Sequence, residues 1–178
     1  GEETAFDTKL LGECNIYNIA AAVALARKLG IGMSAIQHAV SELGYVEHRL
    51  EMKLHRDMVL IDDAFNANPE GAAAACDVLA QMPGWRILVT PGMIDLGEQQ
   101  EQFNRCLGTH AAGCADEVIL VGGKQVQPLR QGLLEGGFDE DRIGQVMTMQ
   151  EAFACFEQSP HADKVVLIEN DVPDVLNR

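Results

Sequence analysis

The chain has 178 residues, 47% of them hydrophobic, enough for one well-buried core and slightly more than a minimal domain. Acidic residues dominate, 27 Asp+Glu against 13 Lys+Arg for a formal charge of -14. Such a surface repels phosphate backbones and anionic membranes, so neither nucleic acid nor a membrane is an expected partner.

In chain order, residues 15–29 (NIYNIAAAVALARKL) read as an Ala/Leu-rich helix that ends at Gly30, and Ser34 is placed to cap a second helix running to about Leu43. The texture then changes. Leu50–His55 and Asp57–Ile61 read as two short strands joined in a hairpin or bend at Arg56–Asp57. From there helices and strands alternate: helix 70–81, strand 85–90, helix 98–113, strand 117–122, helix 124–136, a weak strand 143–147, helix 149–158 and strand 164–169. The strands are short and continuously apolar, as in a parallel sheet covered on both faces. The expected fold is therefore α/β: a Rossmann-like, doubly wound, mostly parallel sheet over residues 46–178, preceded by a helical segment, residues 1–45, that stands outside the alternation. The opening GEETAFDTKLLG reads as the interior of a longer chain.

No apolar run reaches the ~18 residues of a membrane helix and no signal peptide is recognisable, which places the chain in the cytoplasm. The five cysteines (Cys14, Cys76, Cys106, Cys114, Cys155) form no CxxC pair and read as free thiols in a reducing compartment. Neither they nor the five histidines show zinc-ligand spacing, so no metal site is expected.

In a doubly wound sheet, ligands sit beyond the carboxyl ends of the strands. Those ends fall at Asp62–Asn68, Thr90–Gly97, Gly122–Lys124 and Glu169–Asp174, where most of the conspicuous polar residues collect. In IDDAFNANPEG (61–71), Asp63 or Asn66 serves as a helix cap on one reading, with Pro69 in the first turn and Asn68 completing the bend. Capping accounts for one or two of Asp62, Asp63, Asn66 and Asn68, but not for all four, and a carboxylate beyond a strand end suits a ribose. Arg49 is either a surface arginine between Glu47 and Glu51 or a fork for phosphate or a flat base. Asn15 and Asn18 share a helix face one turn apart, so they either cap or read the edge of a base. TPGMIDLGEQQ (90–100) allows close backbone approach at Gly92 and Gly97, yet Asp95 and Glu98 oppose a phosphate. Lys124 is a candidate anion contact. No G-x-x-x-x-G-K-[ST] loop and no G-x-S-x-G elbow occurs, and His110 and His161 read as surface or packing residues, so no catalytic residue is assigned.

Taken together these stretches resemble the Mur ligases, the ATP-dependent amino-acid ligases of peptidoglycan synthesis. LLGECNIYNIAAAVALARKLGI is similar to the family's G-x-H-N-x-x-N segment and the Ala-rich helix that close its central ATPase domain. EHRLE resembles the arginine motif at the domain junction, and IDDAFNANPEG resembles the D-D-S-Y-N-A-N-P signature of the branch that adds D-alanyl-D-alanine to the UDP-muramoyl-tripeptide. TPGMIDLGEQQ and LIENDVPDVLNR look like later stretches of that branch.

The resemblance implies a Rossmann-like C-terminal domain that closes over ATP and Mg2+ held mainly by a central domain not included in these residues. It implies Asn15 and Asn18 near the adenine, Arg49 on the nucleotide, Asp63 on ribose or phosphates, and Asn66 and Asn68 on the substrate side. The implied substrates are the UDP-muramoyl peptide and D-alanyl-D-alanine, joined through an acyl phosphate. Cys14 stands where the family has His, and His48 where it has Gly before the arginine. The P-loop, the metal-binding carboxylates and the catalytic lysine of the central domain are not among these residues, so the chain by itself is expected to be inactive. Two alternatives stand beside this reading: a Mur-like module working with a glutamine-amidotransferase subunit, and a Rossmann-like domain for another nucleotide.

Overall fold

The computed structural model describes residues 3–65 and 67–170. Helix α1 spans Glu13–Lys28 and α2 Met33–Ser41. Strands β1 (Glu51–His55) and β2 (Met58–Asp63) follow, then α3 (Pro69–Ala80), β3 (Trp85–Thr90) and α4 (Gln100–Ala111). The chain continues through β4 (Glu117–Val121), α5 (Gln127–Glu135), β5 (Ile143–Val146), α6 (Met149–Gln158) and β6 (Lys164–Glu169). Short 3-10 turns at Gly97–Gln99 and Lys124–Val126 lead into α4 and α5, which is why both helices begin later than their sequence pattern. No described helix is long and apolar enough to cross a membrane.

The six strands form one sheet in the order β1-β2-β6-β3-β4-β5. β1 pairs antiparallel with β2 through a two-residue turn at Arg56–Asp57, where Arg56 takes a left-handed φ of 56°. Every other pairing is parallel. Alternating side chains serve the two faces. Ile61, Leu88, Val118, Leu120, Val165 and Leu167 join α3, α4 and α5 in one core, while Leu60, Ile87, Val89, Ile119, Val166 and Ile168 pack against Ala152 and Phe156 of α6 on the other. Both faces are covered, as the apolar runs predict, but unequally.

Local chemistry explains the element ends. Thr148 and Glu151 form a reciprocal capping box at the start of α6. At its far end the buried Lys164 ammonium donates to the carbonyls of Phe156, Glu157 and Ser159, meeting acceptors that the helix leaves open. Two expected caps are not realised. Ser34 lies inside the first turn of α2, whose N-cap is Gly32 in an extended conformation with no side-chain bond. Asn15 lies inside α1, whose N-cap is Gly12, because the chain turns into the helix at the left-handed φ of 84° that glycine permits. α1 buries none of its residues, and Ile16, Tyr17, Leu25 and Leu29 are exposed.

Candidate functional site at the carboxyl edge of the sheet

The IDD run ends β2 rather than following it: Asp62 pairs in register with Ile168 and Asp63 with Glu169. The pleat therefore sends the two aspartates to opposite faces. Asp62 is buried beside β1, where its Oδ2 receives Lys53 Nζ at 2.8 Å and faces His48 Nδ1 at 2.9 Å, while its Oδ1 accepts the Ala64 N–H at 3.3 Å. Burial pushes this carboxyl up, but the bonds from Lys53, His48 and Ala64 outweigh it and hold the group below its ordinary range. Asp62, which no reading of the sequence placed, thus joins the hairpin to the turn before it.

Asp63 points to the other side. Its Oδ1 accepts the Leu50 N–H at 3.0 Å, and it shares a hydrogen bond with Glu169. Desolvation lifts its pKa above the ordinary value despite the Leu50 amide, Glu169 and the Arg49 charge, which pull it down. Glu169 is 1% exposed, and its Oε2 has no hydrogen-bond partner. Burial first, and then the Asp63 charge and hydrogen bond, raise its carboxyl well above the usual range.

Arg49 is carried to this edge by a tight turn. His48 and Leu50 both have positive φ, 58° and 45°, and Arg49 N–H closes on Val46 O at 3.1 Å. Its guanidinium lies 4.6 Å from the centre of the Phe65 ring, and the Phe65 N–H donates to His48 O. Arg49 thus lies within electrostatic reach of Asp63, whose carboxyl its charge lowers, but its guanidinium rests on Phe65 and forms no ion pair with Asp63. The start of α1 abuts the same turn, since Gly12 lies against the Leu50 and Val78 side chains. Asn15 donates to Leu11 O at 2.7 Å and Asn18 to Asn15 Oδ1 at 3.5 Å, so the two amides do share a face. Asn68 is the N-cap of α3, with Oδ1 accepting the Gly71 N–H at 2.8 Å. Asn66 and residues 171–178 lie outside the described residues.

The neighbouring strand end is braced from within. Asn170, with φ 64°, donates its side-chain amide to Gly92 O at 2.8 Å and its backbone N–H to Asp63 O. Buried Asn104 of α4 accepts the Met93 N–H and donates to Met93 O and Gln100 O, pinning the 90–97 loop. Glu169 and Asn170 join the candidate site, although their sequence context gave them no role. The available signal was a charged residue ending the otherwise apolar run VVLIE. Lys124 stands apart, beside an open polar groove of about 850 Å3 between the starts of α4 and α5. Two arginines in that groove are already paired, Arg105 with Glu135 and Arg130 with Glu140.

Residues 48–171 match the family model described as Mur ligase, glutamate ligase domain. The chain belongs to the Mur ligase family. Among curated Mur ligases, it is 38% identical over 117 residues to the UDP-N-acetylmuramoyl-tripeptide–D-alanyl-D-alanine ligase of Escherichia coli K12, a match covering 65% of this chain and 26% of that enzyme. Crystal structure II of MurF from Acinetobacter baumannii superposes with a TM-score of 0.78 at 24% identity, covering 93% of this chain and 36% of that one. MurF from Thermotoga maritima in complex with ADP gives 0.76 at 20% identity, covering 90% and 35%. The chain thus spans about a quarter to a third of the length of these Mur ligases.

Proposed function

We propose that this chain is the C-terminal part of an ATP-dependent amide-bond ligase that adds D-alanyl-D-alanine to a UDP-muramoyl-tripeptide in the cytoplasm. The observation that carries the reading is the placement of the exposed Arg49 within electrostatic reach of Asp63 at the carboxyl ends of β2 and β6, in a domain of this family. An exposed guanidinium beside a half-buried carboxyl fits a nucleotide: the cation takes a phosphate and the acceptor takes ribose hydroxyls. Asn15 and Asn18 extend the wall toward a base, Asn68 stands at the start of α3, and the family resemblance assigns Asn66 and Asn68 to the substrate. Residues 1–45 belong with the preceding central domain and residues 46–178 form the closing domain. The exposed apolar side chains of α1 support that division.

ATP supplies the phosphoryl group that turns the substrate carboxylate into an acyl phosphate open to attack by an amine. In this division of labour the present chain orients and excludes water, while phosphoryl-transfer residues come from the preceding domain. Mg2+ is assigned to no residue here, since Asp62 is engaged by Lys53 and His48, and Asp63 by Leu50 and Glu169.

The test is phosphate release by the full-length parent protein, dependent on both UDP-muramoyl-tripeptide and D-alanyl-D-alanine. Arg49→Ala and Asp63→Ala are expected to lower kcat/KM about 10-fold or more with an unchanged fold by circular dichroism. Activity that needs a co-purified glutaminase subunit, or that ignores D-alanyl-D-alanine, overturns the assignment.

A further inference from the structure

We propose that Asp77, His110 and Cys114 form a binding site for a borderline-soft divalent cation of the zinc class, clasping α3 to α4 at the edge of the sheet opposite Asp63. The three donor atoms lie within 4.8 Å of one another, and no other group of three metal-ligating side chains converges among the described residues. Linear spacing conceals the cluster because Asp77 comes from a different helix.

The fold builds it from packed elements. α3 and α4 lie side by side on one face of the sheet and share a core through Cys76, Leu79, Leu107 and Ala111. Asp77, exposed beside buried Cys76, points outward from α3 toward α4. His110 sits in the last turn of α4, and the chain then turns so that Cys114 N–H meets Ala111 O at 2.9 Å. That turn places the Cys114 sulfur under the same rim, with Sγ donating to His110 O at 3.4 Å. His110 and Cys114 therefore present nitrogen and sulfur on one face, four residues apart.

Oxygen, nitrogen and sulfur donors together suit zinc, which accepts all three, whereas calcium and magnesium favour oxygen-only shells. Three protein ligands leave a fourth tetrahedral position to water. A surface ion pair explains the 2.8 Å contact between Asp77 Oδ1 and His110 Nε2, but not the third donor. Arg86, the cation whose charge acts on the thiol, is already committed to Asp116 through two parallel bonds. Binding replaces the Asp77–His110 hydrogen bond with bonds to the ion and releases the thiol proton of Cys114 to solvent. Affinity therefore rises with pH. The net charge of -14 favours cation uptake generally.

This site is independent of the nucleotide reading, and the experiment needs no ligase activity. The reduced 178-residue chain is titrated with cobalt(II), and the thiolate-to-cobalt charge-transfer band is followed in the near ultraviolet. Saturation at one equivalent, with displacement by zinc, is expected. Cys114→Ser should abolish the band, and His110→Ala and Asp77→Asn should each weaken binding about tenfold or more, while Cys106→Ser leaves it intact. No saturable uptake, or an unchanged band in Cys114→Ser, overturns the proposal. If Cys114→Ser fails to fold, the exposed His110→Ala decides: wild-type affinity there also overturns it.

Discussion

Asp63 and Glu169 face each other in register across the β2–β6 pair, and burial beside Asp63 lifts the Glu169 carboxyl well above its ordinary range. Two bare carboxylates cannot share so dry a place, and one of them is far more deeply buried. Glu169 is therefore the partner more readily protonated, while Asp63 accepts the Leu50 N–H.

That division has a pH signature. The unfolded chain gives up the Glu169 proton near its ordinary value of 4.5, the folded domain only well above it. The folded state then binds more protons, so this pair lowers stability as pH rises past 4.5 toward the folded value. Glu169→Gln supplies a permanent N–H donor and removes the titration. Denaturant midpoints of the variant, relative to the parent, should improve steadily from acid toward neutral pH. Glu169→Ala should instead cost about 1–3 kcal/mol through the partner it strands.

Asn104→Ala should free the 90–97 loop without unravelling α4. Both the Met93 N–H and its carbonyl lose their partner, about 1–3 kcal/mol for each group left unpaired. Amide hydrogen exchange at Met93 should accelerate well before that of the β3 amides. Gly92→Ala attacks the same joint from the other side. With φ at 77° and Asn104 Oδ1 only 2.5 Å from where a Cβ would sit, it should destabilise even though a single methyl is added.

Asn68 carries a local duty that can be separated from any substrate contact. Its side chain caps α3, so Asn68→Ala should cost about 1 kcal/mol in thermal or chemical unfolding, whereas Asn68→Asp should keep the cap. In the full-length parent, a rise in KM for Asn68→Asp at unchanged stability would mark the additional substrate role. An unchanged KM would leave capping alone.

Arg86 and Asp116 lock the opposite edge of the sheet with two side-chain bonds, and the Arg86 N–H donates to the same carboxylate. The guanidinium holds Asp116 below its ordinary value of 3.8 against a smaller opposing effect of burial. Its stabilisation is present above 3.8 and is lost as pH falls through the lower folded value. Asp116→Ala should cost roughly 1.5–3 kcal/mol near neutrality, toward the low end because a quarter of each side chain meets solvent. In Asp116→Asn the acid-side loss should flatten.

Much of this domain was legible because each strand is a short apolar run and each helix has its own period. WRILVT, EVILV and KVVLIE fall where β3, β4 and β6 are, and Arg56–Asp57 is the hairpin turn. What escaped was non-local. Nothing in Asn15 or Ser34 says that a neighbouring glycine will start the helix instead. IDD has no mark dividing Asp62 from Asp63, because the pleat and the partner strand decide which aspartate meets Lys53 and which meets Glu169. Glu169 itself looks like a polar residue after a strand until β6 is inserted beside β2, where its carboxyl has nowhere to go but inward.

That insertion has a further consequence. β6 is the last described strand in the chain, yet it lies between β2 and β3 and is the only strand bonded to both. A chain made only as far as residue 163 lacks the strand that joins β1-β2 to β3-β4-β5, so the facing edges of β2 and β3 stay unpaired until residues 164–169 emerge. The strand acts as a keystone between two strand groups that precede it in the chain. A product that stops short of it keeps its two raw edges, and those edges are what a protease or a chaperone would recognise.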